Sequence, residues 1–271
     1  MPPLNLAEKN AECINAIRKF TLMDDTFMTQ VFAGDSDCTQ ELLRIILRRN
    51  DLQVTQSTTQ LPIGNLLGRS VRLDIYAVDA SGRQYDIEVQ QNDQGAAPQR
   101  ARLNSALFDS RLTTSGEKYT ELPETYIIFI TANDVLNRRL PLYTIERTIQ
   151  ETGELFQDKA HILYVNGSYR GSDELGQLMQ DFHCSDYRQM QNSKIAARVR
   201  YFKEEAEGVA DMCRTMQTIV DRERSDADTK ARMDIALRLW ERGEHDLDKI
   251  ADTTELTPEQ VREAISSPKS A

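Results

Sequence analysis

Asp74, Glu88 and Gln90 lie in a short stretch, residues 71 to 90, whose alternation of apolar and polar positions sets them on one surface. Carboxylates facing each other across paired strands, with roughly 5 Å between Cβ atoms, repel when both are ionised and are relieved by a cation between them. Hard divalent ions bind oxygen ligands and keep several waters, so this pair suits Mg²⁺ or Mn²⁺. The competing reading is an exposed face on which the two acids are simply solvated.

The stretch VRLDIYAVDASGRQYDIEVQ supplies the elements that would hold them. Val71, Leu73, Ile75 and Ala77 share one side of a first strand, and Tyr85, Ile87 and Val89 one side of a second. Asp74 and Tyr76, and Asp86, Glu88 and Gln90, take the opposite side. A three-residue loop with Gly82 in the left-handed region makes a hairpin in which Asp79 faces Arg83. Counting back from that pair sets Asp74 opposite Glu88. A loop one residue longer or shorter would put the two acids on opposite faces.

Asp74 followed by Glu88, Val89 and Gln90 resembles the core pattern of the PD-(D/E)XK nuclease superfamily, an acid on one strand and Glu-x-Lys or Glu-x-Gln on the next. The flanks LMDDTFMTQVF (22 to 32), RSVRLDIYAVD (69 to 79), LPETYIIFIT (122 to 131) and HILYVNGSYRG (161 to 171) are similar, in order, to its nuclease-family transposase branch, which is related to the recombination-promoting nucleases. The resemblance covers roughly residues 20 to 220. It implies Asp74, Glu88 and the backbone carbonyl of Val89 as ligands of Mg²⁺ or Mn²⁺, with Gln90 beside them in catalysis. It also implies an accessory acid on an early helix, for which Glu41 is the candidate. A glutamate stabilising its own helix dipole is the alternative for Glu41.

Around the hairpin, VTQSTTQLP (54 to 62) reads as a preceding strand stopped by Pro62. After Gln90 and a polar loop comes a helix with Ala101, Leu103, Ala106, Leu107 and Leu112 toward the core. Its first turn presents Arg100 and Arg102, where a guanidinium fork and backbone donors could grip a phosphate. ETYIIFIT and the run from His161 to Val165 read as buried strands, and His161 as a packed or edge histidine. The expected fold is α/β, a restriction-endonuclease-like core of helix, three-stranded meander, helix and strand in a mixed sheet flanked by helices.

The apolar positions Ile195, Val199, Phe202, Ala206, Val209, Cys213, Met216 and Val220 form a heptad seam. We therefore expect a nuclease-like domain over 1–192 and an all-α extension over 193–271, whose 195–220 helix either zips to a second copy in a homo-oligomer, the favoured reading, or lies along the nuclease core. The extension ends in two short helices, 247 to 265, around a turn. They read as half of a DNA-reading helix-turn-helix or, given Glu255, Glu259 and Glu263, as a packing or protein-contact element.

A formal charge of −10 over 271 residues argues against a protein that coats nucleic acid but leaves room for a local basic cleft. No apolar run approaches the roughly 20 residues needed to span a bilayer, and no signal-peptide pattern opens the chain. Cys13, Cys38, Cys184 and Cys213 are scattered without metal-binding spacing, so reduced thiols and a cytoplasmic location are expected. The expected function is a metal-dependent DNA endonuclease linked to recombination or mobile elements. The alternative is an inactive nuclease-fold module that binds nucleic acid or protein.

Overall fold

The computed structural model describes residues 6–64, 71–113, 116 and 118–266. Arg69 and Ser70 of the resembling stretch lie outside them. Two compact units divide between Cys213 and Arg214, later than the boundary expected at 192.

The first unit is built on a six-stranded sheet of order β1-β2-β3-β4-β6-β5. Its strands are β1 (Val54–Ile63), β2 (Val71–Asp79), β3 (Gln84–Gln90), β4 (Thr125–Thr131), β5 (Leu142–Ile145) and β6 (Ala160–Asn166). β1, β2 and β3 form the antiparallel meander, and β3, β4 and β6 run parallel. The short β5 adds an antiparallel edge that the sequence reading did not contain. Pro62 does not stop β1, which pairs through Pro62 and Ile63 with Arg72 and Val71. β1 is an edge strand, so the missing N–H costs no ladder bond on its open side.

Helices α1 (Leu6–Lys19), α2 (Asp25–Phe32) and α3 (Ser36–Leu47) precede the sheet, and α4 (Pro98–Leu112) connects β3 to β4. The parallel pair β3–β4 requires such a crossover. α4 packs on β1, β4 and β6. Its Ala101 and Phe108 join a core with Tyr76, Ile127, Phe129 and Tyr164. The alternate residues Ile75, Ala77, Ile87, Ile128 and Ile130 are fully buried as well, as expected for strands covered on both faces. The other helical layer holds α2 and α3, which pack on β1, with α5 (Glu174–Phe182) and α6 (Ser193–Glu204) against α3.

The seam expected to zip two chains together is interrupted at Glu205, between α6 and α7 (Ala206–Glu241). Ile195, Val199 and Phe202 are buried within the first unit, where α6 packs against α1, α2 and α3. A heptad pattern records an apolar stripe but not its partner, and here half of the stripe is used inside one chain. Cys13 and Cys213 are joined by a disulfide, with Cα atoms 5.9 Å apart, which corrects the expectation of four reduced thiols. Their separation of 200 residues leaves no local signal of the pairing.

The second unit contains the later part of α7 with α8 (Leu247–Thr254) and α9 (Pro258–Ser266). Ala236, Ile250, Ala251, Leu256 and Val261 form its core. Asp246 caps α8 by accepting from the N–H groups of Asp248 and Lys249. Among the described residues no helix is long and apolar enough to cross a membrane.

Candidate active site

The hairpin has the expected register. The Asp79 N–H donates to the Arg83 carbonyl at 3.0 Å, and Gly82 takes φ of +80°, a conformation free of strain for glycine. Ile75 pairs with Ile87, so the next step of the same register sets Asp74 against Glu88. The β2–β3 ladder ends there, and the following donor of β3, the Val89 N–H, goes to Asp74 Oδ2 at 3.0 Å. On its other side Asp74 meets Gln60, the position between the pairs Thr59–Ile75 and Leu61–Leu73. Gln60 has φ of +55° within a strand, and its amide donates to Asp25 and Thr29 of α2. Strained backbone of this kind collects at sites whose surroundings over-determine it.

Asp74, Asp86 and Glu88 are all buried. α4 covers them with a polar stripe, since Asn104 and Ser105 are buried beside Ala101 and Phe108 while Leu103 and Ala106 face solvent. The apolar positions expected to pack inward are thus only partly used, because the sheet surface beneath α4 is itself acidic. Arg100 reaches in from the first turn. Its Nη2 lies 2.6 Å from Glu88 Oε2, and its Nη1 donates to Gln90 Oε1 at 3.0 Å and to the Gly95 carbonyl at 2.9 Å. Arg102, two residues on, is exposed and is not brought to the site, because side chains two apart leave a helix in nearly opposite directions.

Burial, followed by the charge of Glu88, pushes the Asp74 carboxyl up to about 8. Asp86 is raised well above the ordinary carboxylate range by burial and then by Glu88 and Asp74. Burial also raises Glu88, against the opposing pull of Arg100. Among the described residues three buried side-chain oxygens have no hydrogen-bond partner: Asp86 Oδ1, Glu88 Oε1 and Asn104 Oδ1. Asn104 Nδ2 donates to Asp86 Oδ2 at 3.5 Å. A proton on Asp86 Oδ1 donated to Asn104 Oδ1 would close an acid–amide ring and satisfy two of the three. Glu88 Oε1 would still have no partner.

The sequence model of the PD-(D/E)XK nuclease family transposases matches residues 29–168, a span from within α2 to just beyond β6 that contains Asp74, Glu88, Gln90 and Arg100. The chain belongs to this family. No curated protein and no solved structure matches it.

PD-(D/E)XK nucleases typically use divalent metals, and the residues present fit one. The donors are carboxylate oxygens, as a hard cation requires, and Glu88 Oε1 is a buried acceptor with nothing to accept from. Among the described residues no group of three or more His, Cys, Asp or Glu side chains is arranged to hold a metal ion.

In this PD-(D/E)XK domain Glu41 is not brought to the site. It binds Asn192 Nδ2 at 3.3 Å and Lys194 Nζ at 2.9 Å, in a polar cleft between α3 and α5. The helix acid whose charge reaches Asp74 and Glu88 is Asp25, at the start of α2, which adds to the upward push on both. The sequence reading missed Asp25, Asp86 and Asn104 as parts of the site. Asp86 could have been found from the alternation that placed it on the face of Glu88. Asn104 left a weaker trace, a polar residue between Ala101 and Phe108 on the buried side of a helix.

Proposed function

We propose that this chain is a metal-dependent endonuclease that hydrolyses phosphodiester bonds in DNA. The observation that carries the reading is the pair Asp74 and Glu88, buried at facing register with Glu88 Oε1 unpartnered. A buried acceptor without a donor costs about 1–3 kcal/mol, which a fold tolerates where something else binds.

Asp74 and Glu88, with the backbone carbonyl of Val89, would hold the ion, Mg²⁺ or Mn²⁺, which would supply Lewis-acid polarisation of the phosphate and a more acidic water. The chain's own groups position the rest. The Val89 N–H fixes one Asp74 oxygen, so that the other is the one free to ligate. Gln90 carries no charge and accepts from Arg100, so positive charge beside the phosphate comes from α4 rather than from the position that is lysine in many relatives of this fold. The first turn of α4 has no capping side chain; Pro98 carries no N–H and the Arg100 and Ala101 N–H groups go to the Ala97 carbonyl, so the backbone donor that a phosphate oxygen would meet there is the Gln99 N–H.

The test is cleavage of supercoiled plasmid by purified protein with Mg²⁺, alongside Asp74→Ala. Nicking by the parent protein, lost in the variant with its circular dichroism unchanged, is expected. Equal cleavage by both would overturn the assignment.

A further inference from the structure

Glu88 Oε2 already has a cation on it. Arg100 contributes Nη2 at 2.6 Å, while Nη1 is shared between Gln90 Oε1 and the Gly95 carbonyl. The guanidinium carbon stands 6.0 Å over the Phe129 ring. A Cβ at position 95 would come within 2.1 Å of Gln90 Oε1, so any larger residue there would push the Gln90 amide out of its contact with the guanidinium. Three segments, β3, the turn around Gly95 and α4, thus define one seat for the guanidinium. The Arg100 side chain is nonetheless 39% exposed, while that of Glu88 is fully buried.

We propose that Arg100 is the resident counter-ion of the metal position, seated on Glu88 in the ion-free protein and displaced when a divalent cation binds the carboxylates. The inference rests on the nuclease reading above. A buried carboxylate needs a partner, and Arg100, whose guanidinium charge is fixed, is the cation in contact with Glu88 Oε2. One carboxylate cannot serve a guanidinium and a divalent ion equally well, since the two positive charges repel at that range. Its exposure lets Arg100 be the one that leaves, and the displaced fork remains beside the site to meet a phosphodiester. Gln90 fits this role better than lysine would. Its carbonyl accepts from the guanidinium, whereas an ammonium there would repel Arg100 and compete with it for Glu88.

The experiment is calorimetric titration with Mn²⁺ of the parent protein, Arg100→Gln and Arg102→Gln. Arg100→Gln is expected to bind Mn²⁺ about tenfold more tightly, since the ion no longer displaces a charge-assisted contact. Arg102→Gln removes the same charge from the same helix without touching Glu88 and is expected to match the parent protein. In parallel, the Arg100 guanidinium signals in nitrogen-edited NMR should show hindered rotation in the free protein and lose it on saturation with Mg²⁺. That measurement uses the parent chain and decides the matter if Arg100→Gln does not fold. Arg100→Gln binding no more tightly than the parent, or guanidinium signals unmoved at saturating Mg²⁺, would overturn the counter-ion role while leaving the nuclease reading standing. Absence of ion binding in the parent and in Arg100→Gln alike would overturn both.

Discussion

Two polar clusters occupy the two ends of the same strands, and only one of them is complete. At the Gln84 end, Glu124 accepts from Arg83 Nε at 2.7 Å and Tyr126 Oη at 2.8 Å, and it meets His161 Nε2 at 3.0 Å. Glu146 takes the other ring nitrogen of His161 at 2.7 Å, and the rings of Tyr85, Tyr126 and His161 stack in series. At the Gln90 end, Arg100 pairs with Glu88 but not with Asp74 or Asp86, and the unpartnered buried oxygens found among the described residues lie there. The electrostatics separate in the same way. Burial pushes Glu124 up, but its hydrogen bonds from Arg83, Tyr126 and His161 bring it below the ordinary value, whereas all three acids at the other end are raised. A charged cluster whose partners are all present ties strands together, and one short of partners has a vacancy for chemistry.

The strongest way to break that contrast is Glu88→Gln. If the incomplete cluster is catalytic, Mg²⁺-dependent cleavage should fall on the order of 10³-fold, while the ion-free protein should melt at about the same temperature, because the change relieves repulsion among the buried acids as it gives up the pairing with Arg100, whose half-exposed side chain can turn to solvent. A melting temperature several degrees lower with cleavage retained would make the two clusters alike. The complementary change is His161→Ala, which leaves Glu124 and Glu146 without their shared partner. It should cost about 1–3 kcal/mol in chemical denaturation and leave cleavage per folded molecule unchanged.

The hairpin that carries Asp74 and Glu88 was legible in the sequence because everything that sets it is local. Loop length, Gly82 and strict alternation fix the register without reference to the rest of the chain. What was not legible depends on distant partners. His161 was read as merely packed, since nothing near it in sequence announces Glu124 and Glu146. The polar stripe of α4 was read as apolar because Leu103 and Leu107 outrank Asn104 on any hydropathy scale, and only the acidic surface below α4 reverses that order. Cys13 and Cys213 were read as free thiols for the same reason of separation. The seam from Ile195 was recognised as a stripe, but nothing local told that Ile195, Val199 and Phe202 pack on α1, α2 and α3 of their own chain.

The opposite shifts also predict opposite responses to pH. For Asp74 the folded carboxyl, at about 8, lies above its ordinary value of 3.8, so the folded state binds the proton more tightly. Its contribution to stability is full below pH 4 and is lost as pH rises toward 8. Glu124 is lowered, so its contribution is present above its ordinary 4.5 and is lost as pH falls further. The melting temperature of ion-free protein should therefore peak near pH 5 and decline by roughly 5 °C toward pH 8. Asp74→Asn should flatten the decline, and His161→Ala should not. Because an ion needs the deprotonated acids, stabilisation by Mg²⁺ should grow over the same interval.

The smallest expected effect separates Asp25 from Glu41. Asp25 is exposed and bonded to Gln60 and Thr29, so Asp25→Asn keeps an acceptor in place and removes only charge. Since that charge is felt at both Asp74 and Glu88, Mn²⁺ affinity should weaken about two- to fivefold, with less difference at high salt because an exposed charge is screened. Glu41→Gln should leave the affinity as it is and lose only its pairing with Lys194. Equal losses in the two variants would mean that the ion responds to the net charge of the domain. A loss confined to Asp25→Asn would extend the incomplete cluster onto α2 and make the residue strained opposite Asp74, Gln60, the support of a third acid.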